Sequence, residues 1–112
     1  MVEWRVEQHP RGAFEVFVAP PFEAVGAFLT LEAKSSNVVA HLMRYLGEVV
    51  QGKREGFGIA FNLFALEADP AKVAVAEDED LAPGVPRSCE MPTVDFRHLL
   101  EEWSEFLKAR GR

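Results

Sequence analysis

Residues 91–112, MPTVDFRHLLEEWSEFLKARGR, carry the pattern on which the rest of the fold depends. Phe96, Leu99, Leu100, Trp103, Phe106 and Leu107 fall at the i, i+3, i+4, i+7, i+10, i+11 spacing. On a helix of 3.6 residues per turn they form one stripe, roughly 120° wide. Pro92 blocks helix before it, and Thr93 is placed to be an N-cap whose hydroxyl takes a free first-turn amide. Asp95 suits the positive end of the helix dipole, Lys108 and Arg110 suit the other end, and Gly111 supplies a left-handed stop. A helix with that much aromatic surface requires a sheet to lie on.

The preceding sequence supplies strands. Phe57, Ile59, Phe61 and Leu63 alternate, then the phase changes to Phe64, Leu66 and Ala68. This reads as one central strand, either covered on both faces or bulged where the faces swap. Asp69-Pro70-Ala71-Lys72 is a turn, and Val73 and Val75 begin a returning strand. From Glu77 to Pro92 no period survives. An acidic run and Pro83, Gly84, Pro86 and Pro92 mark that stretch as a long loop, the kind of segment that often carries function. Before the central strand, Ser35, Ser36 and Asn37 offer an N-cap for a helix over 37–51. Its apolar face is wide: Val39, Leu42, Met43, Leu46 and Val50, broadened by Val38, Tyr45 and Val49. Such a face implies contact on two sides, with the sheet and with either the C-terminal helix or another molecule.

At the N-terminus, Val2, Trp4 and Val6 alternate with charges, His9-Pro10-Arg11-Gly12 is a turn, and Phe14, Val16 and Val18 form the second strand of a hairpin. Pro20-Pro21 ends it. Residues 22–33 fit two periods. Phe22, Val25, Phe28 and Leu29 have helical spacing, but Gly26 weakens a helix by roughly 1 kcal/mol, and a short turn followed by a third strand at 27–33 is the expectation. The whole reads as a single α+β domain spanning 1–112: a mainly antiparallel sheet of four to five strands with two amphipathic helices packed against it.

Composition narrows the function classes. With 112 residues, 48% hydrophobic and 27% charged, the chain has a globular balance and room for one core. Nine Phe and two Trp are either an aromatic core or, in part, an exposed patch for a partner. One cysteine, Cys89, has no intramolecular disulfide partner and suggests a reducing, cytoplasmic setting. No apolar run approaches a membrane span. The net charge of −6 is uneven: residues 77–105 hold nine acids against two bases, while the rest is nearly balanced. Glu77, Asp78, Glu79 and Asp80 in the loop, with Glu101, Glu102 and Glu105 on the outer helix face, are the candidate partner-binding residues. Such a surface repels nucleic acid and anionic membrane and attracts a basic protein, unless it serves solubility alone.

Catalytic constellations are weak. Gly52, Gly56 and Gly58 lack the strand–loop–helix order of a phosphate loop. His9, His41 and His98 have no metal-ligand spacing, and Asp78 and Asp80 lack the glycine and glutamate of a calcium loop. Cys89 beside Glu90 reads as a passive thiol, and Glu101 with Glu105 as a solvated face. Neither an enzymatic activity, a metal nor a cofactor is expected. Asn62 stands out between Phe61 and Leu63, where a bulge or edge hydrogen bond accounts for it.

The C-terminal two-thirds resembles small acidic bacterial immunity proteins, the partners of secreted toxins that include contact-dependent inhibition systems. The matching order is a helix ending at Gly52-Lys53, the strand carrying Asn62, a turn, the strand over 72–76, the acidic loop, and Met91-Pro92 leading into the helix with its Leu99-Leu100-Glu101-Glu102-Trp103 core. The first 35 residues add nothing to the match, and no binding residue is carried over from the family. The resemblance implies a protein that neutralises a basic toxin domain, often a nuclease, by occupying its cleft. The alternative is a self-associating structural or regulatory protein, a homodimer through the helix face of residues 38–50.

Overall fold

The computed structural model describes residues 2–78 and 87–112. Six strands and three helices follow in the order β1 (Trp4–Gln8), β2 (Phe14–Val18), α1 (Glu23–Leu31), α2 (Ser36–Val50), β3 (Phe57–Ala60), β4 (Phe64–Ala68), β5 (Lys72–Glu77), β6 (Ser88–Pro92) and α3 (Thr93–Lys108). The class is α+β, as expected, but the strands form two antiparallel sheets instead of one. β1 and β2 make a separate hairpin, and β3-β4-β5-β6 make a four-stranded meander.

Several local readings change for identifiable reasons. Residues 27–33 are not a strand: the helical spacing of Val25, Phe28 and Leu29 prevails, and α1 buries all three. Gly26 is tolerated because α1 lies directly on the edge of β2. A Cβ at Gly26 would come within 2.8 Å of Val16 O and 3.0 Å of Val18 N. Thr30 completes this contact, its hydroxyl accepting from Val16 N–H at 2.8 Å and donating to Gly26 O at 2.8 Å. The open edge of β2 is thereby covered by a helix.

The stretch from Phe57 to Ala68 is a tight hairpin, not one bulged strand. Phe61 N–H donates to Phe64 O at 2.7 Å, and Ile59 pairs with Leu66 across the turn. The phase change is the turn itself, which returns Phe64, Leu66 and Ala68 to the face already used by Phe57 and Ile59. Asn62 is an exposed turn residue. Finally, Ser88–Pro92 is a strand within the stretch read as loop, in register with β5 through Val75↔Cys89 and Val73↔Met91. Its five residues alternate exposed and inward positions too briefly, and with too few apolar side chains, to announce a strand.

One face of the meander is core. Phe64, Leu66, Val73, Val75 and Met91 are buried there, under α1 and α3. α3 supplies Phe96, Leu99, Leu100, Trp103 and Leu107 to the same core, and α2 packs on α3. Thr93 is not the N-cap: Pro92 holds that position, and the Thr93 hydroxyl donates to Asp69 O at 2.7 Å, tying the start of α3 to the β4–β5 turn. Ser35 does cap α2, accepting from Val38 N–H at 3.3 Å. The hairpin joins the body through aromatic rings. Trp4 meets Trp103 edge-on at 6.2 Å, Phe14 meets Phe106 edge-on at 5.1 Å, and Trp103 stacks on Phe106 at 5.4 Å.

Candidate protein-binding surface

The outer face of α3 follows from its inner one. A helix whose stripe is buried apart from the half-buried Phe106 turns the remaining positions outward, and Glu101, Glu102 and Glu105 are all exposed. None of the three side chains forms an ion pair or hydrogen bond with another described residue. Asp95 and Glu102 flank a recess of about 90 Å³ together with His98, Leu99 and Val2. Their helix is anchored at both ends: Thr93 holds Asp69 O, while Trp103 Nε1–H donates to Ala33 O at 2.8 Å. Held in this way, the three carboxylates form an acidic face whose side chains make no ion pair with a described residue.

The loop carboxylates fare differently. Glu77 ends β5, and its side chain is 8% exposed. Arg87 grips it from three donors, Nη2 at 2.8 Å, the backbone N–H at 3.0 Å and Nε at 3.3 Å. The hydrogen bonds from the Arg87 guanidinium, reinforced by its backbone N–H, hold the Glu77 carboxyl below the usual range. Glu77 therefore closes the mouth of the β5–β6 connection and does not present free charge. Asp78 is exposed, and its backbone N–H donates to Leu63 O at 2.8 Å. Glu79 and Asp80 lie outside the described residues. Of the seven acids singled out in the sequence, the helical trio forms a shared surface, whereas Glu77 is spent internally. The signal for that difference was Arg87, ten residues away along the chain and unreadable as a partner until β6 was seen to pair with β5.

The wide apolar face of α2 is used within the fold. Val39, Leu42, Leu46 and Val49 are buried, α3 covers one flank, and Tyr45 meets Phe57 of β3 at 5.5 Å on the other. Val50, 48% exposed, is the large hydrophobic residue of α2 left in water. That accounts for both sides of the face with the chain's own elements.

No group of His, Cys, Asp and Glu able to hold a metal occurs among the described residues. Cys89 is half-buried on the inner face of β6 beside the start of α1. Burial pushes its thiol up, the Glu23 carboxylate adds to this, and the backbone N–H groups of Val25 and Ala24 oppose it. Glu90, its neighbour in sequence, points to the opposite face and pairs with Lys72 at 2.6 Å. No helix among the described residues is long and apolar enough to cross a membrane. A search of known families, curated proteins and solved structures finds no match to this chain.

Proposed function

We propose that this protein binds a basic protein partner through the outer face of α3, and that the partner is a toxin domain whose cleft it blocks. The observation that carries the reading is the trio Glu101, Glu102 and Glu105, exposed and uncompensated on an anchored helix. Three fixed carboxylates raise the local concentration of a cationic partner and accelerate encounter. A cleft built for phosphates, such as that of a nuclease, has the matching sign. Buried contacts elsewhere in the interface then set the dissociation rate.

The test uses the product of the neighbouring reading frame as the partner. Its association rate with the wild-type protein falls as salt rises, and Glu101→Lys, Glu102→Lys and Glu105→Lys together lower that rate by roughly 10- to 100-fold at low salt. All three positions are exposed, so the variant keeps its melting temperature. Tight association whose rate ignores both salt and the three reversals would remove the reading.

A further inference from the structure

A cavity of about 300 Å³ lies where the β1–β2 hairpin, the end of α1 and the last turns of α3 meet. Its floor is apolar, made by Trp103 and Leu107 of α3, Phe14 of β2 and Leu31 of α1. Leu31 remains 37% exposed at the rim, although most large hydrophobic side chains of the described chain are covered. The wall is ionic. Lys34, just beyond α1, has no ion pair or hydrogen bond with any described residue. Arg112 commits Nη2 to Gly12 O at 3.0 Å and lies 4.6 Å over the Phe14 ring, which leaves other donors of its fork uncommitted. Glu15 is the carboxylate of the lining, and His9 Nε2 sits 2.8 Å from it.

The geometry points to a binding site for a small monoanionic amphiphile, its carboxylate held by Lys34 and Arg112 and its apolar body laid on Trp103, Leu107 and Leu31. Charge selects the ligand class. Among the lining side chains two cations stand against one carboxylate, a single positive surplus, while the Arg112 main-chain oxygen is turned to Ser36, accepting from its Oγ–H at 2.6 Å and its N–H at 3.3 Å. A cationic ligand would meet Lys34 and Arg112 directly, and a dianion would crowd Glu15. The planar guanidinium matches a carboxylate fork, and a charge-assisted hydrogen bond next to an apolar wall is stronger than one in open water. Size follows from volume: the cavity is at the small end of ligand pockets, which run from about 300 to 1,000 Å³. Glu101, Glu102 and Glu105 are absent from its lining, so the site stands apart from the surface proposed above.

Phenylbutyrate and the uncharged phenylbutanol are the probes, titrated into the full chain and followed by amide chemical shifts. Phenylbutyrate is expected to give saturable shifts grouped at residues 13–15 and 30–34. Phenylbutyrate binds Lys34→Met about tenfold more weakly, the loss of one charge-assisted contact, and phenylbutanol binds the wild-type protein more weakly still, since both contacts are lost. Leu31→Gln weakens both probes alike. Lys34 and Leu31 are exposed, and an unchanged melting temperature for each variant confirms that folding is not the cause. Absence of saturable shifts in the low-millimolar range, shifts centred elsewhere, or equal affinity for the acid and the alcohol would each overturn the site.

Discussion

Gly26 and Thr30 act as a pair, one turn apart on the same face of α1. The first lets the helix backbone touch the edge of β2, and the second satisfies the edge it covers. Gly→Ala in a helix ordinarily gains about 1 kcal/mol of propensity. Here the added methyl would press on Val16 O and Val18 N, which are backbone atoms of a paired strand and have no rotamer by which to retreat. Overpacking of this kind costs typically about 1–3 kcal/mol. Gly26→Ala is therefore expected to lower the urea midpoint despite its better helix former. A variant more stable than wild type would show that the contact yields.

At the scale of elements, β5 is pinned at both ends by carboxylates. Asp69 accepts from the backbone N–H groups of Ala71 at 2.7 Å and Lys72 at 2.9 Å at its entry, and Glu77 receives Arg87 at its exit. The backbone N–H groups of Lys72 and Ala71 hold the Asp69 carboxyl low, as Arg87 holds Glu77. A carboxyl whose pKa is lower folded than unfolded adds stability that is complete above the ordinary carboxylate range. That contribution disappears as pH falls through that range towards the depressed folded values. The unfolding midpoint is thus expected to drop on acidification below the ordinary carboxylate range, and Asp69→Asn with Glu77→Gln flattens the drop. A midpoint series across acid pH for both proteins measures it; parallel curves would assign the acid sensitivity to other groups. The acidic trio of α3 takes no part in these clips.

For the molecule as a whole, Trp103 is the junction. It packs against Trp4 of the hairpin, stacks on Phe106, and donates to Ala33 O between α1 and α2, so one side chain joins the hairpin, the helical pair and α3. Trp103→Phe keeps a ring in the core but leaves Ala33 O without its donor, and an unsatisfied buried carbonyl costs about 1–3 kcal/mol. Its urea unfolding is expected to show that loss with an unchanged slope. A fall in slope would mean that the hairpin had come loose from the rest. The same residue floors the cavity at the other end of α3 from the Thr93 anchor, so the packing that fixes the acidic face also shapes that cavity.

What the sequence determined by itself were the features set by local period and local chemistry. The stripe from Phe96 to Leu107 specified α3, Ser35 specified the start of α2, and the alternation at Val2–Val6 and Phe14–Val18 specified the hairpin. The exposure of the acidic trio was legible too, because a buried stripe on a helix dictates which positions face water. Tertiary structure decided whatever depends on residues distant in sequence. α1 is a helix because β2 offers an edge for Gly26 and Thr30, β6 is a strand because β5 offers a ladder, and the Glu77 carboxylate is paired because that ladder delivers Arg87. The cavity belongs to the same class: Lys34, Glu15 and Arg112 carry no shared motif, and only the docking of the hairpin on α3 brings their charges around one apolar floor.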